Sequence, residues 1–469
     1  MKQKTHILLL LSELLASVNV YGQSYTPVSL PHLFSDHMVL QKGERTAIWG
    51  GGQAGKTIRL NGSWAPKDTI KVRVNGMGKW KASLKATHYG GPYRLYISDG
   101  NTQITLNDVM VGEVWLCSGQ SNMEWTPDNG LTDKETEISH ADCPDIRFFN
   151  VNKQTGVYPQ DDCQGTWEVC SPSVMKKRSA VAYFFARTLN DSLKVPVGVI
   201  VSAWGATEAT VWCPTTHYSY PEDYQEWIQQ KNSSWPSTRG IMYNQMIHPI
   251  LPFTFKGSIW YQGESNRHQP ASYGRELQTL ITSWRKEARR EFPFYLVQIA
   301  PYHYRSTNNG PALIREAQEW VTKHTAKTGK VVISDCIDDL STIHPLSKRP
   351  VGVRLAHMAL NKDYGQTHIA CESPELHTVQ LQGNRMIVSL TFTSNGLICK
   401  GDTIHGLEIA GADKIFVKAE GKIDKDNRLI VYSPQVKHPF FVRYCFNDDT
   451  VGNLFNKAGL PVSPFRTDK

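Results

Sequence analysis

Beyond its N-terminus, this 469-residue chain lacks any run near the roughly 18 to 20 apolar residues that a bilayer-spanning helix needs. No membrane insertion is therefore expected. Charge of one sign is not concentrated either: 51 Lys and Arg stand against 43 Asp and Glu, a net +8. The basic residues are scattered apart from short clusters such as Lys176-Lys177-Arg178, and no long basic stretch lies beside aromatics, so nucleic acid is not an expected partner. The nine cysteines contain no CxxC pair and no histidines stand at zinc-finger distances, so neither a structural zinc nor another metal or cofactor is expected. An odd cysteine count leaves at least one thiol unpaired within the chain. Cys143, Cys163 and Cys170 are close enough in sequence for a local bridge, with buried free thiols the equal alternative. Repeats of fixed period and low-complexity tracts are absent, although "QQKNSSWPSTRG" (229–240) reads as a loop.

What is present is ordinary for a folded protein, with 40% hydrophobic and 20% charged residues. The length suits two or three domains. The start, "MKQKTHILLLLSELLASVNVYGQS", carries Lys2 and Lys4, an apolar stretch from Ile7 to Leu15 broken by Glu13, and small residues near Gly22. That pattern predicts a signal peptide over residues 1–22 and an exported, periplasmic or extracellular protein. Residues 23–110 alternate short strand-like runs with glycine turns ("TAIWGGG", "KTIRLNG", "YRLYISDG") and read as a β module. From 111 to 368, buried strands ("VGEVWLC", "VPVGVIVSAWG", "KGSIWYQGES", "FYLVQIAP", "KVVISD") alternate with helical patterns such as "RSAVAYFFARTLNDSL". This predicts a three-layer α/β/α domain on a parallel sheet, whose ligand site belongs at the carboxyl ends of the strands. Residues 369–469 return to strand patterns and predict a second β module.

Candidate chemistry gathers at those strand ends. "VWLCSGQSNMEW" (114–125) places Ser121 just after an apolar run, where a base could activate it for attack on a carbonyl. It is not the GxSxG elbow of α/β-hydrolases, and Ser118 is a rival three residues earlier. "SAWGAT" (202–207) offers Gly205, whose N–H could approach a developing oxyanion, and "WYQGESN" (260–266) offers Gln262, Glu264 and Asn266. "STIHPLSKRPVGVRLA" brings His344 in front of a helix. Trp125, Trp204 and Trp260 could wall a cleft or simply pack.

"GQSNMEW", "SAWGAT", "WYQGESN" and "IHPLSKRPVGVRLA", in that order, resemble the four blocks of the SGNH-hydrolase superfamily as they occur in the sialate O-acetylesterase family. "LPHLFSDHMVLQ", "REAQ" (315–318) and "NLFNKAGLPVSPFRTD" extend the likeness over nearly the whole chain. The resemblance implies a carbohydrate O-acetylesterase acting on acetylated sugars or glycans, foremost 9-O-acetylated sialic acids, with acetylated xylan the alternative and a catalytically silent sugar-binding protein the reading from another class. It implies Ser121 as nucleophile and His344 as general base. Oxyanion donors would be the Ser121 and Gly205 N–H groups and the Gln262 side chain. Many relatives carry an aspartate two or three residues before the histidine, where this chain has Thr342 and Ser341. Asp335, Asp338, Asp339 or Glu264 would then orient the imidazole, with Asp339 favoured, or a backbone carbonyl would. Asn122, Glu264, Trp204 and Arg315 are the candidate substrate contacts, although Asn122, like Glu124, reads equally as support for the turn, and Arg315 either pairs with a substrate carboxylate or caps a helix.

Overall fold

A computed structural model describes residues 25–215, 235–305 and 309–469. The segment expected to be a signal peptide lies outside the described residues, as does part of the 229–240 loop.

Six strands open the described chain: β1 (Val39–Gln41), β2 (Gly43–Gly51), β3 (Thr57–Gly62), β4 (Ile70–Arg73), β5 (Lys79–Ala86) and β6 (Gly90–Ser98). In β5 the buried Trp80, Ala82, Leu84 and Ala86 alternate with exposed Lys79, Lys81 and Lys85, the pattern of an antiparallel strand with one face in the core. It pairs with β2, while β3 pairs with β4 and β6.

The next strand, β7 (Gln103–Gly119), is 17 residues long and belongs to two structures at once. Its first half pairs antiparallel with β6; its second half is the centre of a parallel sheet. From Val109 onward every residue is buried, because helices cover both faces there. The boundary expected at residue 110 thus falls inside one continuous strand. The remaining strands are β8 (Cys143–Asn150), β9 (Trp167–Cys170), β10 (Val197–Ala203), β11 (Gly257–Tyr261), β12 (Phe294–Val297) and β13 (Thr328–Val331), in the order β13-β12-β11-β7-β10-β8-β9. All neighbours are parallel except β8 with β9.

Seven α-helices occur among the described residues: α1 (Ser121–Glu124), α2 (Lys134–Ser139), α3 (Pro172–Met175), α4 (Ala180–Leu193), α5 (Pro270–Ala288), α6 (Gly310–His324) and α7 (Arg349–Asp363). Trp115 and Cys117 of β7 point to the face where Phe185 of α4 and Leu355 of α7 pack. Leu116, between them, points to the other face, where Leu277, Ile281 and Trp284 of α5 lie. The expected three-layer α/β/α domain is present, and its second core is shared with Ile48, Leu60 and Leu95 of the N-terminal strands. That shared core makes the two regions one packed body.

Short antiparallel strands from Glu375–Gln382 to Phe465–Arg466 form the C-terminal β region around Val388, Ile409, Leu429, Val431 and Tyr444. It docks on α6 through the Arg466–Glu316 ion pair (2.8 Å) and a Ser463 hydroxyl donating to Glu319 (3.1 Å). All nine cysteines are free thiols; Cys143 and Cys170 stand opposite each other across β8 and β9 without a bridge. No helix among the described residues is long and apolar enough to cross a membrane.

Candidate active site

Three strand ends are laced together where the site forms. Gly119 closes β7 at φ +139°, and a Cβ there would lie 2.2 Å from the Tyr261 carbonyl oxygen, so only glycine fits. The Gln120 N–H donates to Tyr261 O (3.0 Å) and the Trp204 N–H to Gly119 O (3.1 Å), tying β7 to β11 and β10. Ser121 then opens the four-residue helix α1. Ser179, the N-cap of α4, holds that turn: its hydroxyl donates to Met123 O (2.6 Å) and accepts from the Ala182 N–H (3.1 Å). Ser118 is fully buried and donates to Ser202 O (2.6 Å), so the rival serine serves the sheet.

Ser121 Oγ lies 2.8 Å from His344 Nε2. With the serine donating, the imidazole proton sits on Nδ1. The ring stacks on Trp125 at 4.3 Å between centroids and 21° between planes, and Trp125 is itself anchored by its indole N–H to Gly130 O (2.7 Å). Among the described residues no carboxylate hydrogen-bonds the imidazole. Asp339, the favoured partner, is on the surface and accepts from the backbone and hydroxyl of Ser341 (2.8 and 2.7 Å). Asp335 forms a two-pronged pair with Arg354, both contacts 2.7 Å. What positions His344 is an aromatic plane and its own loop.

That loop is gripped from below. Asn122, fully buried, donates to Glu264 Oε1 (2.7 Å) and to the carbonyl of Ile343 (3.1 Å), while its own oxygen accepts from Lys348 Nζ at 2.5 Å. Burial raises the Glu264 carboxyl and pushes the Lys348 ammonium down to about 7, against the opposing pull of Glu264. Asn122 and Glu264 are therefore buried beneath the Ser121–His344 pair, where they brace its loop. Arg315 is likewise internal: fully buried, its guanidinium donates to the Asn447 carbonyl of the C-terminal region.

The expected oxyanion donors differ in availability. Gln262 is fully buried and both hydrogens of its amide are spent, on Thr207 O (3.1 Å) and Asn266 Oδ1 (2.6 Å). The side chain thus braces the strand end, a correction to its expected role. Gly205 does reach the nucleophile, since a Cβ there would lie 3.1 Å from Ser121 Cβ. Its N–H, however, donates to Glu124 Oε2 (3.0 Å). Trp204 lies beside it, meeting Trp235 edge-on at 6.2 Å.

A family model described as carbohydrate esterases, sialic acid-specific acetylesterases, matches residues 111–361, more than half of the chain. The chain belongs to this family. It is also similar to a crystal structure of a carbohydrate acetylesterase from Xanthomonas citri, with TM-score 0.86 and 33% identity over 94% of this chain and 100% of that one. The sialate O-acetylesterases of Homo sapiens and Rattus norvegicus are 29% and 28% identical, covering 78% and 76% of this chain and 77% of each relative.

Three residues of this carbohydrate esterase escaped the sequence reading: Lys348, Lys153 and Trp235. Lys348 leaves one signal, since a lysine at the N-cap of α7 opposes the helix dipole and needs a compensating partner. Burial, then the nearby Lys348, holds the His344 imidazole below its usual 6.5, so at pH 7 it is the free base. The acid limb of kcat/KM is accordingly expected to bend below pH 6.5, and a pH–rate profile bending at 7 or above would contradict that placement.

Proposed function

We propose that this esterase removes acetyl groups from O-acetylated sialic acids, with Ser121 as nucleophile and His344 as general base. The 2.8 Å contact between Ser121 Oγ and the unprotonated Nε2 carries the reading. Oγ attacks the acetyl carbonyl carbon as its proton passes to His344, and the tetrahedral oxyanion forms beside the Ser121 N–H, the first residue of α1. Collapse breaks the ester C–O bond, the sugar hydroxyl leaves with the proton from His344, and acetyl-Ser121 remains. Water, deprotonated by His344, then releases acetate. The Gly205 N–H joins as second donor once Glu124 leaves it; one such donor is worth about 3 kcal/mol of barrier.

The edge-on Trp204 and Trp235 rings beside Gly205, the latter 44% exposed, support a sugar as the alcohol portion. Sialic acid as that sugar rests on the sialate O-acetylesterase relatives, and export rests on the basic and apolar N-terminus. Initial rates on 9-O-acetylated sialic acid and on an acetylated xylo-oligosaccharide test the substrate. The sialate is expected to react faster; a clear preference for the xylan fragment replaces it with the plant polysaccharide.

A further inference from the structure

The Glu124 carboxylate occupies the space where the esterase must place its substrate. Oε2 accepts the Gly205 N–H at 3.0 Å and would lie 3.6 Å from a Cβ on Gly205, whose position is 3.1 Å from Ser121 Cβ. Oε1 is paired with Lys153 Nζ. The same ammonium stands 5.7 Å from the Trp204 ring centroid. Lys153 is 43% and Glu124 35% exposed, so a solute reaches both. A cation and a backbone N–H thus hold one carboxylate next to the nucleophile, and that carboxylate is the protein's own.

Two consequences follow from charge. An anion bound to the Gly205 N–H opposes the negative charge that develops on the acyl oxygen there, so Glu124 must leave before this donor can work. An exposed ion pair is worth only about 0 to 1 kcal/mol, so an incoming carboxylate can displace it at little cost.

We propose that Lys153 is the carboxylate subsite of this esterase: an acidic sugar places its carboxylate on Lys153, Glu124 is released, and the Gly205 N–H becomes free for the acetyl oxygen. The inference rests on the proposed deacetylation of sialic acids at Ser121 and deepens it by naming the side chain that reads the sugar's carboxylate. Binding and activation are coupled, because the ion pair that recognises the substrate is the one that otherwise blocks the donor. A neutral acetyl sugar gains no such exchange.

The test compares kcat/KM for an O-acetylated sialic acid and for its methyl ester, which differ only in the carboxylate; an acetylated glucuronic acid and its methyl ester form a second arm. Wild type is expected to prefer each acid by about fivefold, the upper worth of one exposed ion pair. Lys153→Gln is expected to erase the preference, chiefly by raising KM for the acid, and Lys153→Arg to restore most of it. Glu124→Gln, which removes the competing charge, is expected to raise kcat/KM on the methyl esters several-fold. Equal rates for acid and ester in wild type overturn the proposal, as does a Lys153→Gln loss of the same size on both, or a fall with Glu124→Gln. A preference confined to glucuronate retains the subsite but overturns the sialate substrate. Loss of 4-nitrophenyl acetate hydrolysis in Ser121→Ala reports separately on the acyl-transfer chemistry.

Discussion

Ser121→Ala is expected to lower the turnover number by roughly 10^4- to 10^6-fold, and His344→Ala by a similar factor. The Ser121 hydroxyl has one role in the structure, its 2.8 Å bond to His344. Removing it deletes the attacking atom, and no neighbour replaces it, because Ser118 is fully buried and points at Ser202. In free-energy terms the loss is about 5 to 8 kcal/mol of transition-state stabilisation at about 1.4 kcal/mol per factor of ten. Serine and histidine act as a unit, so the double variant is expected to be no slower than either single one. Hydrolysis of 4-nitrophenyl acetate by the three proteins measures this, with thermal unfolding as control, since Ser121→Ala removes no buried apolar contact. A Ser121→Ala protein within tenfold of wild type would sink the nucleophile assignment.

With no carboxylate on His344 among the described residues, the proposed Ser121–His344 dyad needs another support. In a Ser-His-Asp triad the aspartate both holds the tautomer and stabilises the imidazolium that forms during attack. Here Trp125 fixes the ring plane, and the face of an indole attracts a cation placed over it. The imidazolium is thus stabilised through its ring as it gains charge. The opposing influence is Lys348, whose own ammonium burial pushes down to about 7, limiting the positive charge it presents to His344 at neutral pH.

Sequence disclosed the scaffold better than the contacts. Alternating buried strands and helices led directly to the three-layer domain and put Ser121, Gly205 and His344 at strand ends, because burial on both faces leaves a continuous apolar signature. The continuity of β7 across residue 110 escaped, since Gly112 reads as punctuation between two strand runs although the strand passes straight through it. In sequence, Gln262 reads as an oxyanion donor, while Asn122 and Arg315 read as either ligand-facing or structural, because polar residues near a motif invite both assignments. Each is buried, and burial of a polar side chain depends on partners far away in sequence, here Thr207, Ile343 with Lys348, and Asn447. Trp125, by contrast, was in view from the start as a possible cleft wall, and its role as the plane beneath His344 needed only the ring geometry.

Asn122→Ala is expected to be the most damaging change that touches neither reacting atom. Asn122 is the only side chain among the described residues that hydrogen-bonds both Glu264 and Lys348, and it also holds the carbonyl of Ile343, one residue before the base. Truncation takes a hydrogen-bond partner from the buried Glu264 carboxyl and from the buried Lys348 amine, a defect that typically costs about 1 to 3 kcal/mol for each group. The fall in stability is therefore expected to show as a drop of several degrees in apparent Tm. Activity should fall as well, by about a hundredfold in kcat, the usual consequence of a catalytic group displaced by about 1 Å. KM for 4-nitrophenyl acetate should change little, because Asn122 is fully buried. Leucine is the informative companion: Asn122→Leu restores the volume but not the hydrogen bonds, so recovery of Tm and kcat by leucine would show that packing alone supports the His344 loop. Failure of leucine to recover either would assign the support to the polar network linking α1, β11 and α7.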